Sequence, residues 1–473
     1  MDAAVVAIAG DGDADAGHRC PLLASADDDD EIRPYPASSP SPQHPAGAER
    51  KPRRVASLDV FRGLTVAMMI LVDDAGGAWP GMNHSPWLGV TVADFVMPAF
   101  LFIIGVSAAL VFKKTPNKTV ATKKAAIRAI KLFILGVILQ GGYIHGRHNL
   151  TYGIDLDHIR WLGVLQRIAI GYFLAAISEI WLVNNISVDS AISFVKKYFM
   201  EWIVAVMISA LYVGLLLGLY VSNWEFKVQT SNSILTIPTP GNEIGMKMIQ
   251  CGVRGSLGPP CNAVGFVDRV LLGENHLYKN PVYKRTKANQ KITSLIGFYS
   301  TLMAAVTCFV GLHFGHVLVH CKDHSPRMLL WLLASTVLTV SGFLLQLLGM
   351  PFSKPLYTVS YMLLTGGVSG FLLLLLYYIV DVINIKKPFI LFQWMGMNAL
   401  IVYVLAACEI FPTLVQGFYW RSPENNLVDL TESLLQTIFH SKRWGTLAFV
   451  VLEIIFWCLA ACFLHMKGIY LKL

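Results

Sequence analysis

The chain has 473 residues, of which 55% are hydrophobic and only 14% charged, with a mean hydropathy of +0.54. Soluble domains carry about a quarter charged residues, so this composition excludes an ordinary soluble enzyme and points to a membrane protein. The formal net charge of +8 does not indicate nucleic acid, because Lys and Arg fall in short clusters between apolar runs, the pattern of cytoplasmic loops.

Residues 1–54 are rich in Asp, Pro, Ser, Gly and Ala, with Asp27 to Asp30 in a row. Such a segment buries too little apolar surface to fold, so a disordered cytoplasmic tail is expected, without the apolar region of a signal peptide. Residues 55–473 read as one transmembrane domain. Apolar stretches long enough to span a bilayer occur near 57–73, 89–112, 127–145, 161–183, 201–221, 293–318, 328–349, 356–381, 388–408 and 444–465. The fold class expected is therefore all-α, a polytopic membrane helix bundle of about ten helices. The 356–381 stretch starts polar, with Thr358, Ser360, Tyr361 and Thr365, which suggests an interior position.

Basic clusters set the orientation. Lys51, Arg53 and Arg54 precede the first span, and Lys113, Lys114, Lys118, Lys123, Lys124, Arg128 and Lys131 follow the second. Lys196–Lys197, Lys322 with Arg327, Lys386–Lys387 and Lys467 with Lys472 recur at every other boundary. Both termini are accordingly expected in the cytoplasm, with the 74–88 loop and one long loop at about 222–292 in the lumen. Cys251 and Cys261 share a Gly/Pro-rich part of that loop and form a disulfide candidate if it meets an oxidising lumen. The sequons Asn83-His84-Ser85 and Asn149-Leu150-Thr151 fall on the same side.

Ionisable residues concentrate between Ser57 and Phe112. Charges at membrane depth cost roughly 2.5–3.5 kcal/mol each on insertion scales, and they commonly mark a working site. In an α-helix Arg62 and Asp73 differ in direction by about 20° and lie roughly 16 Å apart. With Asp59 they would form an interior polar stripe; Asp59 and Arg62 could equally pair with each other and lock the helix start. His84 follows in a loop of small and aromatic residues, where a neutral imidazole can accept a proton or be acylated. Asp73 and Asp94 are the carboxylates that could fix its tautomer.

Arg160, Gln166 and Arg167 open the fourth span, and a buried Arg167 needs an anion, whether a protein carboxylate, an acceptor or a cofactor phosphate. Glu179 and Asn398 are further interior polar positions, and Asn398 could serve only to hydrogen-bond between helices. Spacings of three and four put His313, His316 and His320 on one helical face, but no acidic or Cys partner accompanies them in sequence, so no metal is expected. There is no P-loop or dinucleotide-binding glycine motif. Gly105 with Ala109 forms a small-residue face of the kind that pairs membrane helices, which makes a homodimer an option.

Several motifs together resemble a known family. The run SLDVFRGLTVAMMILVDDAGG, then NHSPWLGVTVADFVMPAFLFIIG, WLGVLQRIAIGYF, GFVDRVLLGENHLY, LYTVSYMLLTGG and PFILFQWMGMNALIVYV resemble, in order, heparan-alpha-glucosaminide N-acetyltransferase and its membrane-bound relatives. The chain looks like a plant-type member lacking a large luminal N-terminal domain and a first helix. The resemblance implies transfer of an acetyl group from cytosolic acetyl-CoA to a luminal amino-sugar acceptor, in a lysosomal or vacuolar membrane, or else another endomembrane or the plasma membrane. It puts the active-site histidine on His84, within His-Ser-Pro-Trp-x-Gly, and a partner position that is asparagine in the animal enzyme on Asp73. Asp94 completes the expected catalytic set. Acetyl-CoA would be held by Arg62, Arg167, Lys113, Lys114, Lys124, Arg128 and Asn398, the basic groups taking its phosphates. The acceptor would meet Trp79, Trp87, Arg160, Gln166 and Asp268. The stretch ANQKITSLIGFYSTLMAAV departs from the family pattern. The rival readings are a secondary transporter using the Asp/Arg stripe, an O-acyltransferase, and an inactive relative.

Overall fold

The computed structural model describes residues 55–113, 117–140, 159–184, 186, 188, 190–229, 244–273, 276, 297–407, 410–422 and 424–471. The expected tail 1–54, Lys114, the Asn149 sequon and most of the atypical 285–300 stretch lie outside them.

The elements in order are α1 (Ala56–Ala75), α2 (Val92–Phe112), α3 (Lys118–Ile138), α4 (Val164–Trp181) and α5 (Ala191–Gly218). Short strands β1 (Tyr220–Val221), β2 (Trp224–Gln229), β3 (Ile244–Ile249) and β4 (Val253–Arg254) follow, then α6 (Ala263–Leu272). The remainder is α7 (Phe298–His320), α8 (His324–Leu347), α9 (Val359–Tyr377), α10 (Ile390–Met397), α11 (Ala399–Val402), α12 (Ile410–Gln416), α13 (Leu427–Ile438) and α14 (Lys442–Met466). The fold is the helical membrane bundle expected, and each of the ten apolar stretches overlaps a helix or, at the ninth, a broken pair of helices. Among the described residues, seven helices are long and apolar enough to cross a bilayer, or eight if a broken pair counts as one. The helices α1 and α3 have the length but carry more charge.

Three features differ from expectation. The third helix runs Lys118–Ile138, earlier than 127–145, because its first turns carry lysines on a solvent-facing side. The ninth stretch is not one rod. A turn of π-type helix follows α11, and the axis bends by 72° between residues 397 and 399. The pivot is Asn398, whose φ of −114° and ψ of 25° leave the helical region. The helices α12 and α13 between the last two spans were not foreseen, since each is shorter than a span.

Without a hydrophobic drive between lipid-solvated helices, close van der Waals contact at small residues holds such bundles together. Here α2 lies against α7 through Gly105, Gly311 and Gly315, where a Cβ would overlap the Cys308 or Phe102 carbonyl or crowd Ala109. The Gly105–Ala109 face considered for a homodimer is thus spent inside the chain. Likewise α1 meets α10 at Gly63 and Gly396, each pressed on the other helix's backbone. The most enclosed span is α7, 78% buried, whereas α8 is only 17% buried and turns Leu333, Val337 and Leu347 outward, as a lipid-facing helix would.

The long loop is ordered where it is described. Strand β1 pairs with β4 and β2 with β3, both antiparallel, and Cys251 is bonded to Cys261 as the sequence suggested. Trp224 Nε1 donates to the Pro260 carbonyl, and the Arg269 guanidinium lies 3.8 Å over its ring.

Candidate functional site

The carboxylate of Asp94 is the centre of the site. It stands at the third position of α2, fully buried, and every oxygen is occupied. Oδ2 accepts from the Ser85 backbone N–H at 3.3 Å, the Thr91 N–H at 3.1 Å and the Thr91 hydroxyl at 3.0 Å. Oδ1 lies 3.1 Å from His84 Nδ1 and 3.3 Å from Lys354 Nζ. An anion so solvated by donors stays charged and immobile, which suits it to orienting a neighbour rather than exchanging protons. The Tyr361 hydroxyl also donates to the Asp94 backbone carbonyl, tying α9 to the start of α2.

His84 is therefore held at Nδ1, whose proton goes to Asp94, while Lys354 Nζ stands 2.8 Å from the same nitrogen. Its Nε2 has no hydrogen-bond partner among the described residues, and the side chain is 33% exposed. One ring nitrogen is fixed and the other faces open space, the disposition a general base or acyl carrier requires. The loop bearing it is pinned at both ends. Trp87 is buried and donates to the Leu257 carbonyl at 2.9 Å, and the Gly89 N–H donates to the Phe352 carbonyl at 2.9 Å. Gly89 has φ of +96°, a conformation that glycine adopts without strain.

Lys354 was not singled out from the sequence. It lies on the loop between α8 and α9, mostly buried, and burial holds its ammonium below the usual lysine range while nearby Asp94 opposes the shift. A signal was present: it is a lone cation in a short loop on the side that the positive-inside pattern keeps poor in lysine.

The structure brings Arg167 and Asp268 to the same end of the bundle. Arg167 is buried, with Nε donating to the Gly163 carbonyl at 3.2 Å and a terminal nitrogen 3.8 Å from Met97 Sδ. No carboxylate lies within ion-pair distance of it among the described residues, so the protein anion considered for it is not in contact. Asp268, on α6, is completely buried, and Oδ1 accepts from the Phe298 N–H at 2.7 Å. Burial pushes its carboxyl up to about 7, although that hydrogen bond and the Arg167 charge pull the other way. The folded chain thus holds this proton at pH values where the unfolded chain has lost it, so stability falls as pH rises from about 4 through 7. Asp268→Asn should unfold at a higher temperature than the wild type at pH 8, and the gap should close at pH 5 in thermal melts. A gap that does not change with pH contradicts this.

The other predicted residues disperse. Asp73 lies exposed at the end of α1; its charge acts on Lys354, but the carboxylate on His84 is Asp94. The interior stripe on α1 is therefore interior only at its start, where Arg62 pairs with the buried Asp59 at 3.0 Å and donates to Ser107 Oγ at 2.5 Å. Trp79 donates to the Arg443 carbonyl at 3.3 Å and meets Trp444 edge-on. With Trp87 it braces the loop that carries His84. The Arg160 backbone is bracketed by Gln140, donating to its carbonyl at 2.9 Å and accepting from its N–H at 3.0 Å. Gln166 is buried beside Gly136 and Gly163. Lys113, at the end of α2, donates from Nζ to the Val319 carbonyl at 3.4 Å, Lys124 is exposed, and the guanidinium of Arg128, midway along α3, sits 4.9 Å over the Tyr172 ring. Asn398 is buried, yet neither side-chain atom has a hydrogen-bond partner among the described residues, so it does not bridge helices.

Residues 54–228 match the family model described as heparan-alpha-glucosaminide N-acetyltransferase, catalytic. The heparan-alpha-glucosaminide N-acetyltransferase of Mus musculus is 28% identical over 450 residues, covering 87% of this chain and 62% of that protein. The Homo sapiens protein of the same name is 28% identical over 437 residues, covering 86% of this chain and 60% of that protein. The chain spans about three-fifths of the length of the curated relatives it matches. These likenesses bear out the resemblance read from the motifs: over most of its length the chain is similar to the heparan-alpha-glucosaminide N-acetyltransferases.

Proposed function

We propose that this protein is an acetyl-CoA-dependent membrane N-acetyltransferase that carries acetyl groups from the cytosolic to the luminal side, onto the amino group of a glucosamine-type sugar. The observation that carries the reading is His84, fixed through Nδ1 by a saturated Asp94 and open at Nε2. In direct transfer the acceptor nitrogen attacks the thioester carbonyl, Nε2 takes the amine proton, and the C–S bond breaks to release the CoA thiolate, which then receives that proton. In the two-step variant Nε2 itself attacks, an acetyl-imidazole forms as the thiolate leaves, and the amine then displaces the imidazole.

Lys354 is positioned for either route. Its ammonium lies beside Asp94 and His84 Nδ1, on the side of the ring away from the reacting Nε2, so it acts through the orientation of the imidazole. Buried Arg167, with no carboxylate in contact among the described residues, offers a further cation to an anionic ligand group. The basic residues Lys113, Lys114, Lys124 and Arg128 would meet the CoA phosphates at the other membrane face. A lysosomal or vacuolar membrane fits an acceptor of this class, and the bilayer is the protein's surrounding partner.

The test is transfer across a membrane. The purified chain, reconstituted in vesicles loaded with glucosamine, is given acetyl-labelled acetyl-CoA on the outside. Labelled N-acetylglucosamine should accumulate inside, and only in vesicles that contain the protein. Glucosamine movement without acetyl-CoA would favour the transporter reading, and absence of any labelled product would reject the proposal.

A further inference from the structure

A second buried constellation lies away from His84. Along α4 the rise from Arg167 to Glu179 is about 18 Å, so Glu179 stands near the far end of the bundle from the site above. There it meets Glu201 of α5 and His313 and His316 of α7. Glu201 is 0% exposed, His316 1% and His313 8%. The absence of acids near the histidines in sequence was the reason to expect no metal. The acids arrive instead from two other helices.

The hydrogen-bonding account of this cluster does not close. His316 Nε2 lies 2.6 Å from Glu179 Oε2 and 3.9 Å from Glu201 Oε2. Both Glu201 oxygens, both His313 nitrogens and His316 Nδ1 are buried with no hydrogen-bond partner of good geometry among the described residues, although Glu201 stands beside the Glu179 carboxyl. Leaving one such atom unsatisfied costs about 1–3 kcal/mol, and more where the group is charged, so five together demand a common explanation. The rings are also fixed in place: Tyr198 stacks on His316 at 3.7 Å and Trp202 on His313 at 4.0 Å. One ligand atom from each of Glu201, His313 and His316 lies within 4.8 Å of the others. Tetrahedral zinc ligands, at about 2.0–2.2 Å from the ion, stand some 3.5 Å apart, so the three ligand atoms need to draw together by no more than roughly 1–1.5 Å to take the ion.

We propose that Glu201, His313 and His316 bind a divalent transition-metal ion of the zinc class, clamping α5 to α7, with Glu179 holding the His316 ring from α4. Two imidazoles and a carboxylate suit zinc; calcium and magnesium prefer all-oxygen shells. A carboxylate on the ring of a ligating histidine is the usual outer support of such sites. The ion also offsets the negative charge of two carboxylates placed among apolar helices. The clamp is separate from the acetyl-transfer chemistry and does not depend on it.

The test uses the full chain, without a histidine tag, expressed with added zinc and purified in detergent. Metal analysis should find about one zinc per chain, and a strong chelator should lower the melting temperature, which added Zn²⁺ restores. Glu201→Gln and His313→Ala should lose the zinc, whereas His84→Ala should keep it. Co²⁺ added to the stripped wild type should give visible ligand-field bands that saturate at about one equivalent, a readout that needs no variant to fold. Less than about a tenth of an equivalent of metal, with no thermal shift and a featureless Co²⁺ spectrum, overturns the site. So does undiminished zinc in folded Glu201→Gln and His313→Ala.

Discussion

His84→Ala should reduce acetyl transfer by about 10³-fold or more while leaving the protein folded, since a positioned proton acceptor alone contributes roughly 10²–10⁴-fold. Loss of function without loss of fold follows from the geometry. His84 is one of several donors to Asp94; Ser85, Thr91 and Lys354 continue to satisfy that carboxylate when the imidazole is gone. The ring is one-third exposed, so its removal opens no sealed cavity. Initial rates with labelled acetyl-CoA, set beside the melting temperature of the same preparation, check both halves. A variant that transfers acetyl groups at near the wild-type rate would remove His84 from the chemistry and, with it, the reading of the site.

Gly396→Val should be as damaging to the fold as His84→Ala is to the reaction. At Gly396 a Cβ would overlap the Asp59 carbonyl of α1, and the reciprocal Gly63 is pressed on the Phe392 carbonyl of α10. These neighbours are helix backbone, which cannot turn aside as a side chain can. The helices must separate, and the cost should reach about 3 kcal/mol or more. The same contact supports the break at Asn398 two residues on, so the distorted span loses its anchor as well. Monodispersity and melting temperature in detergent report the loss. Gly214→Val on α5 is the control, because nothing lies within 4 Å of a Cβ there. If both variants melt alike, close packing at Gly396 does not hold α1 to α10.

Much of the architecture is legible in the chain because its signals are local. Apolar stretches of spanning length and the alternation of basic loops follow from transferring each segment into a bilayer, a property of the segment alone. Pairing of Cys251 with Cys261 was readable for the same reason, the two lying ten positions apart. His84 was legible through its motif, and Asp94 through its place at the start of the next helix. The choice between Asp73 and Asp94 was not legible. It depends on how the 76–91 loop folds back, and only Asp94 lands on the imidazole.

By itself, then, the sequence determined that this is a helical membrane protein, roughly where its helices run, and which histidine stands in the loop whose motif resembles the family. Tertiary structure decided the company each polar group keeps. Lys354 joins His84 across 270 positions, and Glu179 joins His316 across 137. Neither pairing leaves a trace in hydrophobic periodicity, because that pattern records only which face of a helix turns inward. Which buried faces meet is settled by backbone contact at glycines such as Gly63, Gly311 and Gly396, and the polar groups are brought together as a consequence.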